Sequence, residues 1–207
     1  MFNRKFAFSL TLLAVVLLGG CEFSRQRRHG QTEFHLTQAQ AYLDDGLTDS
    51  ALAAFGLALV DNPRLTKAHV GMGRIYLDRE DYTLASGAFE RATKVDPGSF
   101  DAHYYLGLAR QMMGKVKEAI TVYLRALSIN PNSFEANLNL AGAYIQENRP
   151  SEALSFARRA VDLDPQSLGA WVTLATTHSL RGNYDRAVES YRVALEGSEH
   201  FFSVCGS

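Results

Sequence analysis

Four of the five prolines in this 207-residue chain stand at Pro63, Pro97, Pro131 and Pro165, at one constant interval, so the period is 34. The repetition reaches beyond proline, since "KVDPGSFDAHYYL" is followed by "SINPNSFEANLNL". A chain written in one recurring phrase folds as a linear array whose units each touch their neighbours. With 46% apolar and 21% charged residues, composition gives no sign of a long disordered tail, and most of the chain is expected to be ordered.

Phased on the prolines, the array has units at 32–65, 66–99, 100–133, 134–167 and 168–201. Alanine recurs in every unit at Ala51, Ala85, Ala119, Ala153 and Ala187, and again two turns later from Ala58 to Ala194. Invariant small residues imply a close approach of two backbones. Apolar spacing of three to four, as in "EAITVYLRALSI", predicts two helices per unit. Gly46, Gly114 and Gly182 lie between them, with Glu80 and Asn148 in the same place in the second and fourth units, and predict a tight turn. At the unit's end Asn62, Asp96, Asn130 and Asp164 precede the prolines, and Ser99, Ser133 and Ser167 follow two places later as expected N-caps. Thr32 and Thr66 are the expected caps of the first two units.

Two helices per period, fixed small residues and a terminal proline together resemble the tetratricopeptide repeat. Met72, Gly73, Tyr76, Ala85, Phe89, Ala92 and Pro97 carry most of that pattern in the second unit, and Trp171, Leu174 and Ala175 part of it in the fifth. Departures are Arg110 and His178 at a tyrosine place, Ala157 at a large-residue place and Glu199 at the last proline. The resemblance implies an all-α, right-handed solenoid of about five units, whose first helices line a concave groove for a protein or peptide ligand. The groove positions it implies are Glu33, Leu36, Gln40 and Asp44, then Lys67, Val70, Arg74 and Asp78, and in the later units Tyr104, Leu108, Met112, Leu138, Asn139, Gly142, Ile145, Val172 and Thr176. Members that clamp a C-terminal carboxylate use lysine and asparagine where this chain has Leu36 and Gln40, so that activity is not expected.

Ahead of the array, Arg4 and Lys5 precede the apolar run Phe6–Leu18, then Gly19, Gly20 and Cys21. That order is an export signal over residues 1–20. Its apolar run reaches about 20 Å as a helix, short of the roughly 30 Å hydrocarbon core. "LGGC" resembles the bacterial lipoprotein cleavage box, which implies that Cys21 carries the lipid and that residues 21–31 are a tether. Glu22 after the cysteine, in place of the aspartate that marks inner-membrane retention, points to the outer membrane on its periplasmic face. Removal of Arg4 and Lys5 leaves 19 basic against 22 acidic residues, and nucleic acid is not an expected partner.

His35, His69 and His103 share one place in successive units, but stacked helices lie about 8–10 Å apart, too far for one metal ion. Asn137 and Trp171 occupy the same place, which marks it as a packing position. No nucleophile elbow, phosphate loop or paired CxxC is present. Cys205 lies in "HFFSVCGS" with no base to activate it. Catalysis, cofactors and metal are therefore not expected. The function expected is a lipid-anchored adaptor at the cell envelope, by analogy with pilus- and secretin-assembly lipoproteins of this repeat type. The alternatives are a regulatory subunit that recruits an enzyme and an anchored cytoplasmic cochaperone. The tail at 202–207 is expected to fold back over the last helix pair or to mediate self-association.

Overall fold

A computed structural model describes residues 29–205, with side chains through residue 196. The signal, Cys21 and most of the tether lie outside the described residues. Ten helices run through this span: α1 (29–44), α2 (Thr48–Asp61), α3 (Thr66–Asp78), α4 (Tyr82–Val95), α5 (Phe100–Met112), α6 (Val116–Ile129), α7 (Phe134–Gln146), α8 (Pro150–Leu163), α9 (Leu168–Leu180) and α10 (Tyr184–Cys205). No strand is present among the described residues.

The hinge inside each pair is built as the glycines predict. Gly46, Gly114 and Gly182 take φ of 73°, 74° and 73°, and Glu80 and Asn148 are forced into the same left-handed region at 62° and 55°. In the third unit Gly114 N–H bonds to Gln111 O at 2.9 Å and Lys115 N–H to Arg110 O at 2.9 Å, the paired closure that satisfies a helix's last carbonyls.

The proline phrase is fully accounted for by hydrogen bonds. Asp96 Oδ1 accepts from Gly98 N at 2.9 Å, and Asn62, Asn130 and Asp164 accept in the same way from Arg64, Asn132 and Gln166. Ser99, Ser133 and Ser167 then cap α5, α7 and α9 by accepting from Ala102, Ala136 and Ala170 N, each at 3.2 Å.

The chain separates into two compact units, Met1–Met72 and Gly73–Ser207, with the boundary inside α3. In the first, Ala51 and Ala58 are buried and the Phe55 ring fills the space a side chain on Gly71 would need. In the second, helix pairs stack in chain order, each helix packing on the next from α4 to α10. One buried cluster joins Ile120, Tyr123 and Leu127 of α6 to Ala136, Leu140 and Ala143 of α7, and another joins Ala157 and Val161 of α8 to Leu174 of α9.

In the second to fourth pairs, size is matched between one place in the first helix and one in the second; in the first and fifth pairs the same places hold Ala39 with Phe55 and Ala175 with Tyr191. A Cβ on Gly73 would stand 2.5 Å from the Phe89 ring, and one on Gly107 would stand 2.7 Å from the Tyr123 ring. In the fourth unit the partners are Ala141 and Ala157, both fully buried in one cluster. The small residue at 157 thus meets a second small residue across the pair, inside a cluster completed by Val161, Ala170 and Leu174.

Two expectations at the ends are corrected. Residue 29 is already helical, so α1 starts inside the span expected to be tether and ahead of Thr32. At the other end α10 has 22 residues where α4, α6 and α8 have 14 each, and it continues through Cys205 with no reversal. The tail therefore does not fold back over the last pair. Glu199 stands where earlier units have proline, so nothing removes a backbone donor or blocks the next turn.

Candidate binding face

The first helices of the later units, α5, α7 and α9, carry the residues that the sequence assigns to a groove. Tyr104, Leu138 and Val172 occupy one register place, and Asn139 lies one residue beyond it. Helical spacing puts Leu108 and Met112 on the same side of α5 as Tyr104. The hydroxyl of Tyr104 accepts from Asn139 Nδ2 at 3.1 Å, which joins α5 to α7. Two turns further on, Gln111 Nε2 donates to Gln146 Oε1 at 3.1 Å, while Gln111 Oε1 accepts from the Tyr123 hydroxyl at 3.0 Å. The seam between these helices is therefore laced by side-chain amides.

The apolar members of the set do not form one open stripe. Tyr104 is half-buried, its ring stacked on Phe100 at 5.8 Å and set edge-on to Tyr105 at 5.1 Å. Tyr104 and Ile145 pack on the Ile120–Tyr123 cluster, and Leu138 packs on the one around Val161. Leu108 is half-buried, whereas Met112 and Val172 are exposed. The spacing of Tyr104, Leu138 and Ile145 gives the side of the helix they occupy, while their depth comes from the neighbouring pair.

Burial is the main reason the Tyr104 hydroxyl ionises less readily than a free tyrosine; Glu135 and Tyr105 add to this, and the Asn139 hydrogen bond opposes it. Tyr123 is pushed up more strongly, again chiefly by burial. Both are neutral hydrogen-bonding groups at ordinary pH. Near the start of the face Arg74 lies over the Tyr105 ring, 5.5 Å from its centroid. Arg110, at a tyrosine place, pairs instead with Glu90 at 3.1 Å and Glu118 at 3.6 Å.

In the first unit Glu33 and Leu36 line a pocket of about 430 Å³ with His29, Thr32, Asp61, Asn62 and Leu65. Gln40 donates to Asp44 at 2.9 Å. His35 Nε2 lies 3.7 Å from Asp61.

The shared histidine place is a latch. His69 and His103 Nε2 each lie 3.1 Å from the carbonyl of the preceding proline, Asn137 Nδ2 donates to Pro131 O at 3.1 Å, and Trp171 Nε1 donates to Pro165 O at 2.8 Å. Three residue types serve because each presents a nitrogen at the same reach. Among the described residues no group of three His, Cys, Asp or Glu is placed to hold a metal ion, and no helix is long and apolar enough to cross a membrane.

Models of the tetratricopeptide repeat match residues 70–134, 110–167 and 145–196, so recognised repeats run without a gap from 70 to 196. The chain belongs to the tetratricopeptide repeat family. No curated protein matches it. Among solved structures, the crystal structure of MamA aligns at a TM-score of 0.76 with 22% identity, over 82% of this chain and 92% of that one. YrrB, a TPR protein with an unusual peptide-binding site, aligns at 0.73 with 24% identity, over 83% of this chain and 89% of its own. PilF of Pseudomonas aeruginosa aligns at 0.70 with 19% identity, over 82% and 78%. These likenesses establish the fold, an all-helical tetratricopeptide solenoid. A tetratricopeptide repeat protein of this kind is a scaffold for protein–protein interaction.

Proposed function

We propose that this tetratricopeptide repeat protein is a lipid-anchored adaptor on the periplasmic face of a bacterial envelope, at the outer membrane, which holds a peptide segment of a partner protein against α5, α7 and α9. The observation that carries the binding reading is the composition of that face. Exposed apolar side chains at Met112 and Val172 flank a seam of amides and hydroxyls, Asn139, Gln111, Gln146 and Tyr104. Such a lining suits a peptide, which offers apolar side chains and a backbone of donors and acceptors together. The peptide-binding site of YrrB, on the same fold, supports that mode. The order of basic residues, apolar run and "LGGC" supports the anchor, with the lipid on Cys21. Assembly of a pilus or secretion complex is the process proposed, by analogy with lipoproteins of this repeat type.

A photo-crosslinking residue at Met112 or Val172 of the full chain in cells tests the face. One partner segment is expected at both positions, and Val172→Asp should abolish capture at 112 and Met112→Asp capture at 172 while the melt is unchanged. Crosslinks that survive the aspartate at the other position would place binding elsewhere. Mass analysis of the mature amino terminus tests the anchor: normal lipidation in Cys21→Ala would refute it.

A further inference from the structure

The third and fifth units carry opposite charges at one set of places. In the third, Arg110 of α5 stands between Glu90 of α4 and Glu118 of α6, at 3.1 Å and 3.6 Å. Two repeats later the same places hold His178 of α9, Arg158 of α8 and Arg186 of α10. Side chains at these places meet in the third unit, so the fifth brings two guanidinium groups to a histidine. Arg181, which caps the end of α9, adds a third. His178 beneath them is 4% exposed, and its buried Nδ1 has no hydrogen-bond partner among the described residues.

No acid answers these arginines. None of the three has an ion-pair partner among the described residues. Glu189, one turn beyond Arg186, is held by Arg192 at 2.6 Å. Asp162, one turn beyond Arg158, is exposed and forms no ion pair, and Asp185 adjoins Arg186 in a helix, where consecutive residues do not face each other. The charges that act on His178 are Arg158, Arg186 and Arg181, with no carboxylate among them. Arg186 also stands in the first turn of α10, where α6 and α8 have Glu118 and Glu152 at the same place and where the helix dipole favours negative charge. Side chains and backbone together leave positive charge there unmatched.

We propose that Arg158, Arg181 and Arg186, above His178, form a binding site for a phosphate group. The three come from α8, from the turn after α9 and from α10, and so approach from different directions. A carboxylate is planar and takes one guanidinium fork, whereas a phosphate ester offers three oxygens and about two negative charges to converging forks. The same chemistry recognises a soluble phosphate and a lipid headgroup. The site uses none of the residues assigned to the peptide face and is independent of that reading.

The full chain in neutral detergent is titrated with inorganic phosphate at fixed ionic strength, and separately with the same detergent carrying phosphatidic acid. Saturable binding is expected, and Arg158→Gln with Arg186→Gln should raise the dissociation constant by at least about 30-fold, with the melt unchanged because both side chains are exposed. Bound phosphate should also raise the pKa of the His178 ring, followed by nuclear magnetic resonance, because it neutralises the arginines that help to hold it down. His178→Arg with Arg158→Glu and Arg186→Glu copies the ion-paired trio of the third unit, and should fold and bind no phosphate. Whichever ligand binds more tightly names the source, lipid or soluble, and supports the site. Saturation by neither, equal affinity in the double variant, or equal displacement of phosphate by a glutamate-rich peptide would each overturn the proposal.

Discussion

The Tyr104 hydroxyl and the Asn139 amide meet 3.1 Å apart across the α5–α7 seam, and the two residues are 35 positions apart, one more than the repeat. Gln111 and Gln146 meet at the same offset. α5 is thus advanced by one residue on α7 along this seam. Tyr104→Phe is expected to lower the unfolding free energy by ~0.5–1.5 kcal/mol, and a double-mutant cycle with Asn139→Ala should recover that value as coupling. Tyr104→Asp should cost roughly 3 kcal/mol or more, because a charge would enter a stacked aromatic site. Urea melts distinguish the cases, and equal losses for Phe and Asp would mean that the ring is not packed as described.

Glu80 and Asn148 take the place of glycine at φ of 62° and 55°. Glu80→Gly and Asn148→Gly are each expected to raise stability by about 1 kcal/mol, the relief of a left-handed side chain outweighing the added freedom of the unfolded chain. Thermal denaturation at fixed pH measures it, with Gly87→Ala in α4 as a control for glycine's general effect.

Size matching between the two helices of a pair makes a directional prediction. Ala157→Phe alone should destabilise by roughly 1–3 kcal/mol through overpacking against Ala141, and adding Ala141→Gly should recover most of the loss, since it recreates the pairing of Gly73 with Phe89. Additive losses in the double variant would show that the two sites do not share one space.

His178 is buried, and burial, with Arg158, Arg186 and Arg181 in support, holds its pKa below the ordinary 6.5. The unfolded chain therefore takes up the proton first, and stability should fall as pH drops below about 6.5 until the folded form is protonated too. His178→Tyr, which restores the residue type found at Tyr76 and Tyr144, should flatten that slope relative to the parent chain. Melting temperatures from pH 7.5 to 5 give the comparison.

The latch at the proline carbonyl predicts a small, repeated effect. Trp171→Phe keeps an aromatic ring and removes the donor to Pro165 O, and should cost about 0.5–1.5 kcal/mol. His103→Phe should behave alike at Pro97. Amide exchange at Ser167 or Ser99, beside the freed carbonyl, reports whether the turn loosens.

The parts of this molecule that were legible in its sequence are the local ones. A residue before proline, a serine two places after it and a glycine between helices each act within a few bonds, so the letters specify the turn, the cap and the hinge. The histidine place was legible as a position but not as a bond, because only the folded turn brings the Pro97 carbonyl to His103. Depth was not legible at all. Tyr104 and Met112 lie on one side of α5 by spacing, yet Phe100 and Asn139 draw the first inward and leave the second in solvent. The continuation of α10 had a signal in the missing proline at Glu199, but a missing stop does not tell how far a helix runs.

The pairing of Gly73 with Phe89, Gly107 with Tyr123 and Ala141 with Ala157 lies wholly inside single repeats. A crossover between misaligned copies of the gene that joins repeats at the proline turns would hand down each matched pair whole. One that joins them between the two helices of a repeat could set Tyr123 against Ala141, a combination the fifth pair carries as Tyr191 with Ala175, or leave Gly107 facing Ala157, a combination that none of the five pairs holds. The inherited piece that can be lost or duplicated without a packing defect is therefore the helix pair, and the proline turn is where such a chain can be cut and rejoined.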